Sequence, residues 1–337
     1  MKAVRVNKPM DLEVVEIEEV QISKPNEIKV QVKATGVCGS DVGIYKGTNP
    51  MAVYPRIIGH EMSGQIVEVG EDVKKFKIGD RVVIDPVVDD PTTPQSLIGR
   101  PNIAVGLQVR GVHIDGFMSE YTITTEQRAY KIPECISFEE AALIEPFSIG
   151  ANSCARAEVS PRDIVFVNGA GTIGQTVLRT AVLRGARVIV SDIDNEKLEI
   201  AKKNGVYKTI NIKGKNLIEE IYKIVPNGVD VAIDAVCTVK SFEEMCQIVA
   251  PAGRVITLGF TEEPSQIQAK WITAKELDIR GSRLSNRKFP EVIRYFEDNR
   301  ISREDMISHK FNLQDAQKAF DLSLNPNEPN KKILITY

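Results

Sequence analysis

The sequence predicts an α/β protein in two parts, a β-rich front half followed by a doubly wound parallel sheet. Three observations point this way. At 337 residues the chain is too long for one ordinary domain. Up to about residue 150 it consists of short alternating runs broken by Gly, Pro or Asp: EIKVQVKATG, MSGQIVEVG, GDRVVIDPVV, SEYTITT and RAYKIP. That alternation is the period of strands with one buried face. After residue 160 apolar β-branched runs alternate with helical patterns, as in a parallel sheet covered on both faces.

Taken in order, the opening MKAVRVNKPMDLEVVEIEE alternates like an early strand and lacks the basic-then-apolar layout of a signal peptide. DDPTTPQSLIGRPN (89–102) has little periodicity and reads as an ordered surface loop. In the rear half DIVFVN precedes the helical TIGQTVLRTAVLRG, and RVIVSD precedes NEKLEIAKKNG. VDVAIDAV precedes SFEEMCQIVAPAG, and RVITLGF follows. The first two helices stop at Gly185 and Gly205, where a left-handed residue is favoured. KWITAKELDIRGS (270–282) contains a strand expected at the sheet edge. FPEVIRYFEDNR and DAQKAFDLSLN read as amphipathic helices and KKILITY as a last strand. This tail is expected to rejoin the front half, so that 1–148 and 289–337 form one domain and 149–288 the other.

Composition narrows the class. The hydrophobic fraction of 42% and charged fraction of 26% are those of a globular protein. A net charge of -3 with scattered Lys and Arg gives no basis for nucleic-acid binding, and no apolar run approaches a membrane span. Five cysteines (38, 135, 154, 237, 246) argue against a disulfide framework and fit a reducing cytoplasm. The last four lie in apolar contexts and are expected as small buried hydrophobes.

GAGTIG places Gly169, Gly171 and Gly174 in G-x-G-x-x-G spacing, with Thr172 and Ile173 between the last two. The motif follows a strand and opens a helix, the context that makes it a dinucleotide loop. The first glycine permits a tight turn, the second lets backbone approach a pyrophosphate, and the third lets helix pack on strand. The helix N-terminus then offers free N–H groups to phosphate. Asp192 ends the next strand, 21 residues after Gly171. A carboxylate there accepts the ribose hydroxyls and repels a 2′-phosphate, which selects NAD over NADP.

Cys38 and His60 stand 22 residues apart among glycines, in GVCGSD and GHE. Thiolate, imidazole and carboxylate suit zinc, and a catalytic zinc keeps one position open. On their own the two residues are better read as a buried thiol and a core histidine. The metal reading rests on their company: GVCGSD, GHEMSGQIVEVG, GDRVV, ALIEP and the glycine loop occur in that order.

With that ordered set, the whole chain resembles the zinc-dependent medium-chain alcohol dehydrogenases, most of all their polyol and sugar-acid branch. The resemblance implies a GroES-like β-rich catalytic domain plus a Rossmann domain, with the active site in the cleft between them. It implies Cys38 and His60 as zinc ligands and Glu61 as a third, in the sorbitol dehydrogenase manner. Glu145, in the EP motif, stands where the family has its other ligand; which carboxylate touches the metal stays open. Asp41 matches the aspartate that orients the ligand histidine, and Ser40 the hydroxyl that takes the substrate proton. Arg283, in GSRLSNRKFPEVI, matches an arginine near the substrate. The implied reaction is hydride transfer between a secondary alcohol, such as a polyol or hexonate, and NAD. A simple alcohol, threonine or butanediol dehydrogenase and a non-enzymatic NAD-binding regulator are the alternatives. A homodimer or homotetramer is expected.

Two departures from the family pattern stand out. Its four structural-zinc cysteines are replaced by Asp90, Thr93, Ser96 and Ala104, so one zinc per chain is expected. Where members commonly carry a proton-relaying histidine, this chain has Gly43. Either water completes the relay from Ser40, or turnover suffers at low pH; the glycine could equally serve only a turn.

Overall fold

The computed structural model describes residues 1–325, 328 and 330–337, and the chain divides into two units. The first comprises Met1–Glu145, Phe289–Asp298 and Arg303–Tyr337. Its central strand, Glu27–Val37, is 11 residues long and so takes two antiparallel neighbours along one edge. Tyr121–Thr125 pairs with residues 27–31, and Lys332–Thr336 with residues 34–37. Glu61–Val69 runs along the other edge, with register shifts at Lys29/Val30 and Val32/Ala34. Arg81–Ile84 and Ala129–Lys131 extend the sheet on that side, and Ile307–Asn312 extends it beyond Lys332–Thr336. Alternation turns Ile28, Val30, Val32, Met62, Ile66, Val82, Ile84 and Phe117 into one core. Each such side chain contributes roughly 1.5–3 kcal/mol.

This ladder sets up the site. Gly36 pairs with Glu61, and Ile333 pairs with Val37, the residue before Cys38. Three separate stretches of chain therefore meet at one end of the central strand.

The second unit comprises Pro146–Lys288 and Asn299–Ser302. Its six strands are all parallel, in the order 208–211, 187–192, 164–168, 229–234, 249–257, 278–281. Numbered along the chain this is 3-2-1-4-5-6, which places a switch point between 164–168 and 229–234. Strand residues alternate between two cores. Val165, Val167, Val188 and Val190 pack with Val177, Leu178 and Ala181 of helix Thr172–Leu183. Phe166 and Ile189 pack on the opposite face with Leu217, Ile221 and Met245. Gly185 and Gly205 follow their helices with φ of 85° and 82°.

Several details differ from the sequence expectations. Residues 89–102 hold a four-residue helix, Pro94–Leu97, and a 3-10 turn, Pro101–Ile103. Thr93 caps that helix and Pro94 pre-sets its first turn, signals too short for periodicity to reveal. Cys135 is exposed and Cys237 half-buried, so apolar neighbours in sequence did not bury them; Cys154 and Cys246 are buried. Strand Asp278–Gly281 lies at the sheet edge, as expected, and there Arg280 pairs with Asp278 and Glu158. Gly43 lies inside helix Gly39–Lys46 without a positive φ, so no turn requires it. Among the described residues no helix is long and apolar enough to cross a membrane.

Candidate functional site

Cys38 sits where the central strand gives way to helix Gly39–Lys46, as its N-cap. Asp41, at the third position of the helix, is fully buried and reaches back. Its Oδ2 accepts the Cys38 N–H at 2.9 Å and its Oδ1 accepts the Gly59 N–H at 3.1 Å. Oδ1 also lies 3.4 Å from His60 Nδ1, at ion-pair range without full hydrogen-bond geometry. One carboxylate thus ties both ligand-bearing segments together. It also fixes the imidazole with Nε2 turned the other way, where Ser40 Oγ lies 3.4 Å off.

The ligand atoms of Cys38, His60 and Glu61 all lie within 4.8 Å of one another. Glu61 is 1% exposed, and its Oε2 is buried without a hydrogen-bond partner. A sealed, unpaired carboxylate oxygen is costly unless a cation takes it up. Space for it exists because residue 36 is glycine: a Cβ there would stand 1.9 Å from Oε2. The other oxygen, Oε1, accepts a 2.7 Å bond from Lys332 Nζ. Sulfur, ring nitrogen and carboxylate oxygen converging this way fit zinc.

The electrostatics agree. Burial by itself would depress His60, but Asp41 and Cys38 beside it hold its pKa well above the ordinary imidazole value. Burial pushes the Glu145 carboxyl up to about 8; His60 opposes the rise and Glu61 adds to it. Glu145 opens helix Ile144–Arg156, near enough to feel those charges but outside the Cys38–His60–Glu61 group.

Sequence reasoning passed over Gly36 and Lys332. The signal for Gly36 was its place in GVCGSD; for Lys332 it was a charge opening an otherwise apolar strand, KILIT. Around Asp90, Thr93 and Ser96, hydrogen bonds shape the chain. Asp90 accepts from Thr92, Thr93 bonds Ser96, and Ser96 donates to Asp89, which also pairs with Arg128. Ala104 is buried.

In the second unit the glycine loop has the form its spacing predicts. Gly169 has φ of 94°, which favours glycine. A Cβ on Gly174 would stand 1.9 Å from Gly169 O, so helix and loop touch. A Cβ on Gly171 would meet no protein atom within 4 Å, so there is open space over the backbone at that position. Gly171 caps helix Thr172–Leu183, whose first residues are Thr172 and Ile173. Asp192 ends its strand as expected, and its Oδ2 accepts the Ala170 N–H at 2.7 Å. These residues fit a dinucleotide. Arg283 lies over the Phe260 ring at 5.5 Å, on a segment where Leu284, Asn286 and Arg287 have positive φ. Asn152 holds that segment by donating to the carbonyls of Arg283 and Leu284.

Fold and site together define a zinc-type alcohol dehydrogenase. Residues 24–134 match the alcohol dehydrogenase GroES-like domain and residues 172–298 the zinc-binding dehydrogenase domain. The chain belongs to this family of oxidoreductases, with its GroES-like and Rossmann-type parts and its zinc and nicotinamide cofactors. It is 39% identical to the starvation-sensing protein RspB of Escherichia coli K12, over 100% of this chain and 99% of that one. It is 30% identical to the sorbitol dehydrogenase of Bacillus subtilis, over 92% and 90%. The crystal structure of the alcohol dehydrogenase rspB of E. coli CFT073 with NADH superposes at a TM-score of 0.94, with 37% identity and coverage of 100% and 99%.

Proposed function

We propose that the chain oxidises a secondary alcohol of the polyol or sugar-acid class with NAD, or reduces the corresponding ketone. Cys38, His60 and Glu61 hold zinc. Glu145 stands beside them as a further carboxylate and not as the first-choice ligand. The observation that carries this reading is the convergence of the Cys38, His60 and Glu61 ligand atoms within 4.8 Å of one another, on a Glu61 carboxylate whose Oε2 is buried and unpaired.

When bound, zinc supplies Lewis acidity to a substrate hydroxyl and the nicotinamide supplies a hydride acceptor. Asp41 orients His60 and anchors the backbone of Cys38 and Gly59. Ser40 Oγ, half-buried beside His60 Nε2, accepts the hydroxyl proton and passes it to solvent. Gly169, Gly171, Thr172, Ile173 and Gly174 cradle the pyrophosphate against a helix N-terminus. Asp192 receives the ribose hydroxyls and, with Ile193 and Asp194 following, offers no cation to a 2′-phosphate. Support for NAD also comes from the NADH-bound relative.

Support for a polyol or sugar acid comes from the sorbitol dehydrogenase similarity and from Arg283, whose guanidinium suits a substrate carboxylate. For self-association, the free side of edge strand Asp278–Gly281 is the candidate surface, to be tested by sedimentation.

The test is a panel of polyols, aldonates and simple secondary alcohols with NAD, alongside metal analysis. Stoichiometric zinc is expected, with turnover on a polyol or aldonate. Cys38→Ser should lose zinc and turnover while still binding NADH. Turnover retained in that variant, or a zinc-free active enzyme, overturns the reading.

A further inference from the structure

We infer that Lys332 is a positioning residue for the metal site: its ammonium grips Glu61 by Oε1, so that Oε2 is the atom offered to the cation. The inference rests on the zinc reading above and adds a residue to it.

Lys332 opens the strand Lys332–Thr336, and its side chain is 4% exposed while that of Glu61 is 1% exposed. A buried lysine is costly unless its donors are used. Two uses are visible: Nζ donates to Glu61 Oε1 at 2.7 Å and to the Val37 carbonyl at 3.1 Å. Val37 immediately precedes Cys38, so one ammonium tethers both the carboxylate and the chain that delivers the thiol. Strand pairing makes this possible, since Ile333 lies opposite Val37 and Gly36 opposite Glu61.

The division of labour between the two Glu61 oxygens decides against a plain internal salt bridge. Such a bridge has no need to leave one oxygen sealed and unpaired on a carboxylate that is grouped with a thiol and an imidazole.

The experiment measures zinc affinity by chelator competition and ligand geometry by the cobalt(II) visible spectrum. It uses the full chain and the variants Lys332→Met, Lys332→Arg, Glu61→Gln and the double variant. Lys332→Met should bind zinc about 10–100-fold more weakly, with a changed cobalt spectrum. Lys332→Arg should restore most of both. In the Glu61→Gln background Lys332→Met should weaken binding far less, because the lysine acts chiefly through that carboxylate. Removing both partners also avoids an uncompensated buried charge, so the double variant keeps the test readable should Lys332→Met fail to fold.

Wild-type affinity and spectrum in Lys332→Met, or equal losses with and without Glu61, overturn the inference while leaving the zinc reading intact. A wild-type chain that takes up no zinc overturns both.

Discussion

Gly36 and Glu61 face each other across an antiparallel ladder, and the Glu61 Oε2 atom occupies the place a side chain at 36 would take. Gly36→Ala should therefore displace the carboxylate. We expect zinc affinity to fall at least about tenfold and stability to fall by about 1–3 kcal/mol, as overpacking does. Chelator competition and urea unfolding measure both; an unchanged zinc affinity would show that Glu61 has no part in metal binding.

In the proposed reading Asp192 serves cofactor and loop at once, since it also accepts the Ala170 N–H. Losing a charged hydrogen-bond acceptor costs about 1.5–3 kcal/mol. Asp192→Ala should raise the NADH dissociation constant about tenfold to a hundredfold and shift preference towards NADPH. Fluorescence titration with both cofactors decides, and undiminished NADH binding would sink the ribose assignment.

The metal-free chain should lose stability as pH rises. Glu145 binds its proton more tightly folded than unfolded, with a pKa raised to about 8 from 4.5. Its contribution is complete below about 4.5 and is lost between there and about 8. His60, likewise raised, acts in the same direction. Melting temperatures of chelator-treated protein should fall across this window, and zinc should flatten the fall by favouring the deprotonated ligands. A melting temperature that climbs with pH in the metal-free state contradicts the burial argument.

Gly43 lies within a helix, and a Cβ there would meet its nearest neighbours at 3.6 Å, an ordinary contact. Gly43→Ala should stabilise the protein by about 0.5–1 kcal/mol, because glycine gives up more freedom in a helix. Thermal unfolding tests this, and destabilisation would mean that the site needs an open position there.

The thiols should separate by reactivity. Burial pushes Cys237 up to about 12 and Cys246 up to about 11, so neither should alkylate near neutral pH. Exposed Cys135 should react with or without metal, and Cys38 should react only after zinc is removed. Peptide mass spectrometry after iodoacetamide treatment reads each site; Cys38 labelled equally in both states would contradict its ligation.

What was legible in the sequence was whatever local chemistry punctuates. Gly169, Gly171 and Gly174 announce a loop because backbone shape demands them, and the strand Ile164–Asn168 shows as a run of apolar residues because both its faces are buried. Cys38 and His60 were visible through their family company. The hidden parts depend on distant pairing. Lys332 and Glu61 are 271 residues apart, and nothing near either foretells the other. In sequence Lys332 is one of two adjacent lysines, which reads as a solvated strand entry. Gly36 looks like any glycine until the ladder puts Glu61 across from it. The cap at Thr93 and the exposure of Cys135 were missed for the same reason: each follows from packing, not from neighbours in the chain.

The central strand Glu27–Val37 finds one of its neighbours in Lys332–Thr336, whereas the parallel sheet is complete within residues 164–281. During synthesis the rear unit can therefore acquire its structure while the front one is still waiting for a partner some three hundred residues downstream. Nucleotide affinity should be gained before metal affinity. Ribosome-arrested chains of increasing length, probed for each ligand, would reveal that order.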